Sequence, residues 1–110
     1  MRRRARTDAN QQAVIDVLRQ AGASVQSLAA IGDGCPDLLV GYNGRTFLME
    51  VKDGPKPPSE TKLTVNQVEW HSRWLGGSLS IVYGPEGALK VIGALRDGRA
   101  KAFMEANQDL

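Results

Sequence analysis

Residues 34–54 read GCPDLLVGYNGRTFLMEVKDG, and how they fold decides the architecture. Two apolar runs, DLLVG from Asp37 and TFLMEVK ending at Lys52, flank Asn43-Gly44. That dipeptide accepts positive φ at both central positions of a tight turn, so it favours a two-residue hairpin. Asp37–Gly41 is then one arm and Arg45–Lys52 the other. Side chains two apart on a strand share a face. Phe47, Met49 and Val51 point one way, towards a helix, and Leu48, Glu50 and Lys52 point the other. On the partner arm Asp37 and Leu39 share a face, as do Leu38 and Val40. Asp37 and Glu50 stand at the arm ends remote from the turn, at matching distances from it. The hairpin therefore brings two carboxylates together.

Working outward, Asp8 to about Ala21 carries Val14, Ile15 and Leu18 at helical spacing. Asp8 is a candidate N-cap with Gln11 three residues on, and Gly22 is a stop. Ser24–Ile31 reads as a strand, followed by the turn Gly32-Asp33-Gly34. Residues 53–62, polar with three prolines, read as a long loop. A second helix runs from Thr64, its cap, to Leu75. Leu79–Tyr83 is an apolar run that suggests a buried strand, and Pro85 to about Leu95 a last helix. The predicted order is α-β-β-β-α-β-α: an α/β fold with a mixed central sheet flanked by helices. The domain spans residues 8–95, between a basic N-terminal arm (1–7) and a tail or helix (96–110).

The chain has 110 residues, net charge +2 and a single cysteine. One domain is expected. No intrachain disulfide is possible, consistent with a reducing compartment such as the cytoplasm. No apolar run approaches the ~20 residues of a membrane span, and the arginine-rich start lacks the apolar core of a signal peptide. Arg2, Arg3, Arg4 and Arg6 are either a solvated terminus or an arm lying along phosphates.

The charges on the hairpin admit two accounts. Lys52 can neutralise one carboxylate, leaving an ion-pair cluster at a sheet edge. Alternatively, Asp37 and Glu50 hold Mg²⁺, with the backbone carbonyl of Val51 beside them, since that ion takes one or two carboxylates and keeps several waters. Lys52 would then orient or help to deprotonate an attacking water, or steady charge on a phosphodiester.

Pro36-Asp37 followed by Glu50-Val51-Lys52 resembles the signature of the PD-(D/E)XK nucleases. Leu63-Thr64, Gln67 and Trp70 look like the pattern that follows the lysine in small stand-alone VRR-NUC domains, often phage-encoded. Archaeal Holliday junction resolvases are a more distant likeness. The resemblance covers about residues 8 to 83 and implies a restriction-endonuclease-like core. It implies Asp37 and Glu50 as ligands of Mg²⁺ or Mn²⁺, Lys52 as the residue assisting the water, and Gln67 as completing the site. Gln67 can equally close a capping box with Thr64. Relatives often carry a glutamate on the first helix; the matching position here is Gln11, whose amide can hold a metal-bound water but binds the ion less strongly. The implied activity is structure-specific DNA cleavage in a bacterial or phage-infected cell, by a homodimer presenting two sites to opposed strands. The alternative is a DNA-structure-binding protein that does not cut, or an interaction domain with a charge cluster.

Lys56 and Lys62 bracket the proline-rich loop and can contact phosphates. His71, the only histidine, lies one turn after Gln67 and can reach DNA or the site, though a packed or solvated histidine is the commoner case. Trp70 and Trp74 read as core or dimer packing, and Cys35 as a small buried side chain.

Overall fold

The computed structural model describes residues 4–53 and 62–97, with side chains for residues 9–53 and 62–95. Among these are three α-helices and one four-stranded mixed sheet: α1 (Arg4–Gln20), β1 (Ser24–Ser27), β2 (Leu38–Tyr42), β3 (Arg45–Val51), α2 (Val65–Arg73), β4 (Ser78–Val82) and α3 (Pro85–Ile92), then a 3₁₀ turn, Ala94–Asp97. The strands lie in the order β1-β2-β3-β4. β1, β2 and β3 are antiparallel neighbours, while β4 joins β3 in parallel after the α2 crossover.

The hairpin forms around Asn43 and Gly44, whose φ angles of 53° and 78° are both positive, with Tyr42 opposite Arg45. This registry puts Leu38 opposite Met49 and Val40 opposite Phe47. These four side chains, with Val51 and Val82, are buried against Val14, Ile15 and Leu18 of α1 and Leu89 and Ile92 of α3. Each such side chain contributes about 1.5–3 kcal/mol by leaving water. The core therefore lies on one face of the sheet. The other face carries Leu39, Leu48, Glu50 and Ile81; Leu48 and Glu50 are buried, Leu39 and Ile81 exposed.

α1 stays helical because Gln11, Val14, Ile15 and Leu18 form one buried stripe. It ends where Gly22, at φ 102°, lets Ala23 N–H reach the Leu18 carbonyl and Gly22 N–H the Arg19 carbonyl, both at 3.0 Å.

The structure corrects several expectations. α1 begins at Arg4, so Asp8 lies within it and is not its cap. β1 stops at Ser27, because the chain turns at 28–34 to bring Asp37 back beside Leu28. β4 is an edge strand with only Val82 buried, since its apolar run faces a partly covered side of the sheet. The last helix ends at Ile92, with Gly93 at φ 86° as its cap. Among the described residues no helix is long and apolar enough to cross a membrane. Arg2, Arg3, Lys56 and the tail beyond residue 97 lie outside the described residues.

Candidate active site

Asp37 is placed by the turn that precedes it. Gly32, Asp33 and Gly34 all have positive φ. Gly34 also passes so close to α2 that a Cβ there would sit 2.2 Å from the Asn66 carbonyl oxygen. Pro36 is fully buried. Leu28 N–H then donates to the Asp37 carbonyl at 2.7 Å, carrying the β1–β2 pairing one step past the strand end. On its side chain, Asp37 Oδ2 accepts the Val51 N–H at 2.8 Å.

Glu50 lies on β3, facing away from Met49 and Val51. Continued by one step, the β2–β3 registry sets it opposite Asp37. The charge of Asp37 acts on Glu50 there. Lys52 follows the strand end, its N–H bonded to the Val82 carbonyl at 2.9 Å.

α2 covers this end of the sheet and delivers Gln67. Thr64 caps the helix, accepting Gln67 N–H at 3.2 Å, while Gln67 Oε1 accepts Thr64 N–H at 2.9 Å. The same Oε1 accepts Lys52 Nζ at 2.9 Å, and Gln67 Nε2 donates to Glu50 Oε2 at 3.0 Å. The capping box and the tie to the site are therefore both present. Lys52 does not pair with either carboxylate: among the described residues no such contact falls within 4.0 Å. The edge ion-pair cluster considered from the sequence does not form, and the amide of Gln67 stands between acid and base.

Glu50 is 2% exposed. Burial pushes its carboxyl up to about 8; the hydrogen bond with Asp37 and the charge of Asp37 add to this, and the charge of Lys52 opposes it. His71, one turn after Gln67, aims its Nε2 at Glu50 Oε1 across 3.9 Å. Burial and then Lys52 hold the His71 imidazole below its usual range. Cys35 is half-buried nearby, and burial followed by the charges of Glu50 and Asp37 pushes its thiol up. That is unfavourable for thiolate chemistry.

Among the described residues, the buried side-chain polar atoms without a hydrogen-bond partner are Glu50 Oε1 and His71 Nε2. Such orphans require a reason, and a cation beside Oε1 is one. Asp37, Glu50 and the Val51 carbonyl fit a divalent ion: two converging carboxylates, one with an unused buried oxygen, and a carbonyl leaving its extended residue on the same side as the N–H that Asp37 accepts. Among the described residues no group of three or more His, Cys, Asp or Glu side chains is placed to hold a metal ion. Gln11 is buried on the sheet-facing stripe of α1. Its neighbour Asn10 donates to the carbonyls of Lys52 at 3.2 Å and Tyr83 at 3.4 Å, docking the helix on the strand ends beside the site.

Arg4 and Arg6 fall on the first turns of α1, and Lys62 is exposed just before the α2 cap. α2 buries no residue, so Trp70 and Trp74 are not core. They stack on each other at 5.2 Å and line a cleft with Asp33, Asn66, Glu69 and Arg73, on a different side of α2 from Gln67 and His71. Sequence reasoning missed the Asn10 contacts and offered reach to the site as the lesser of two readings for His71. The four-residue spacing of Gln67 and His71 was the available signal for His71; nothing in the sequence separates Asn10 from its neighbours.

No family model, curated protein or solved structure significantly matches the chain.

Proposed function

We propose that this chain is a divalent-metal-dependent DNA endonuclease of the PD-(D/E)XK type, with a restriction-endonuclease-like core, acting on branched, flapped or junction DNA. One observation carries the reading: Asp37 and Glu50 converge from neighbouring strands, Glu50 presents a buried unpartnered oxygen, and Gln67 holds Lys52 beside them. Asp37, Glu50 and the Val51 carbonyl hold Mg²⁺, with Mn²⁺ able to substitute. When bound, the cation polarises a phosphoryl oxygen and lowers the pKa of water. The protein's part is positioning. The Val51 N–H fixes Asp37, and Gln67 fixes both Glu50 Oε2 and the Lys52 ammonium. Lys52, committed to no carboxylate, directs its charge to the attacking water or the scissile phosphate. Arg2, Arg3, Arg4, Arg6, Lys56 and Lys62 supply phosphate contacts that position the duplex without reading sequence.

The uncharged Gln11 favours a second reading, a protein that binds DNA structures without cutting them. Labelled junction, flap and linear DNA, incubated with Mg²⁺, Mn²⁺ or chelator, separates the two. Metal-dependent products are expected. Salt-sensitive binding without products would establish the second reading instead. Asp37→Asn and Lys52→Ala should each abolish cleavage while leaving the fold and DNA affinity largely intact; normal cleavage by either variant removes the roles assigned here.

A further inference from the structure

We propose that the cleft between α2 and the turn at residues 32–34 receives an unpaired nucleobase of the DNA strand held at the site, stacking it on Trp70 and Trp74. The proposal rests on the nuclease reading above and names the feature of branched or flapped DNA that the chain recognises. The cleft holds about 470 Å³ and is lined by Asp33, Asn66, Glu69, Trp70, Arg73 and Trp74; sites for small ligands span about 300–1,000 Å³. Its aromatic wall is held in place. The two indoles lie nearly parallel, 17° apart, with centroids at 5.2 Å. Trp74 Nε1 donates to the Gly77 carbonyl at 2.9 Å, and Gly76 runs so near the Trp74 ring that a Cβ there would overlap it. The opposite wall is fixed as well, because Gly34 abuts the Asn66 backbone. Neither indole is buried in a core.

The lining selects the occupant. Two acids, Asp33 and Glu69, stand against one cation, Arg73, which Glu69 meets at 3.7 Å. That balance disfavours a phosphate, and an aliphatic ligand would make no use of Asp33 or Asn66. A nucleobase offers a flat π-face to the indoles and polar edges to those two residues, and such stacking tolerates any base. Position points to the same strand. Trp70 meets the His71 ring edge-on at 6.4 Å, and His71 Nε2 lies 3.9 Å from Glu50 Oε1. The cleft therefore opens one side chain away from the acids proposed to act on the phosphate. A paired base enters only by giving up its stacking and pairing, whereas an unpaired base is free to enter.

The chain's two tryptophans are Trp70 and Trp74, so its indole emission reports on this cleft alone. With chelator present to prevent cutting, a short oligodeoxyadenylate should quench that emission. An abasic strand of the same length should bind through its phosphates without quenching, and blunt duplex should quench far less. Trp70→Ala should weaken binding of the oligodeoxyadenylate about tenfold or more, and Trp70→Phe should recover most of the loss. The comparison of strands on wild-type protein decides the matter even where a variant fails to fold. Equal quenching by the abasic strand or the duplex would overturn the proposal. So would quenching by oligolysine alone, which would make the cleft a dock for a basic segment of another protein. Metal-dependent cleavage without base-dependent quenching would remove the base site and leave the nuclease reading standing. Base-dependent quenching with no products under any metal would keep the base site and establish DNA binding without cutting.

Discussion

Glu50 keeps its proton to about pH 8 in the folded chain without metal, against an ordinary value of 4.5. Between these values the folded state holds a proton that the unfolded chain has released, so raising the pH costs stability. The contribution is complete below pH 4.5 and lost as pH rises through about 8. The metal-free protein should therefore melt at progressively lower temperature from pH 5 to pH 9. Glu50→Gln keeps an acceptor for Gln67 and removes the titration; it should flatten this dependence and raise the pH 9 stability by ~1 kcal/mol or more, about 4 °C in melting temperature. A variant curve parallel to wild type would mean that Glu50 is not held protonated. Metal must displace that proton, so binding near pH 7 should release protons to the buffer. Gln11→Glu tests the neighbouring helix in the same way. A carboxylate there should tighten Mn²⁺ binding, and an unchanged titration would place residue 11 out of the site's reach.

α2 is an element without a core of its own. It buries none of its residues and is fastened by its cap, by Gln67 and by the passage of Gly34 against Asn66. Gly34→Ala meets two obstacles, a φ of 85° and a Cβ 2.2 Å from backbone oxygen. It should cost about 1–3 kcal/mol and depress cleavage by displacing the start of α2 and Asp37 together. Wild-type activity and stability in this variant would show that the close approach is dispensable. The sequence made the helix and cap legible because Thr64 and Gln67 stand at capping-box spacing. It could not reveal that Gln67 also bridges Glu50 and Lys52, since that requires the end of β3 to lie beneath the first turn. The register of β2 and β3 was readable because Asn43-Gly44 permits a two-residue turn and one face of each arm is apolar. α1 was misjudged at its start: arginine and alanine are good helix formers, so Asp8 gave no reason to begin there.

At the scale of the whole molecule, the described residues cover the sheet on one side and only at one end on the other. The burial of β4 was misread for that reason: an apolar run records composition, not whether a neighbour lies beyond it. The uncovered side leaves Leu39 and Ile81 exposed; Val65 and Val68 on α2 and Leu75 beyond its end are exposed as well. A homodimer is proposed from the sequence alone. Sedimentation should show a two-fold species, and a monomer that cleaves at full rate would remove the dimer from the mechanism. The weak anchoring of α2 carries a separate consequence for heat. Its first turn cannot fray without releasing both the acid and the amine bound to Gln67, whereas the strands and α1 and α3 can persist. Loss of the candidate site's geometry should therefore set in below global melting, and the backbone amides of 68–73 should exchange with deuterium far sooner than those of β3, as though this end of the sheet were held by a latch.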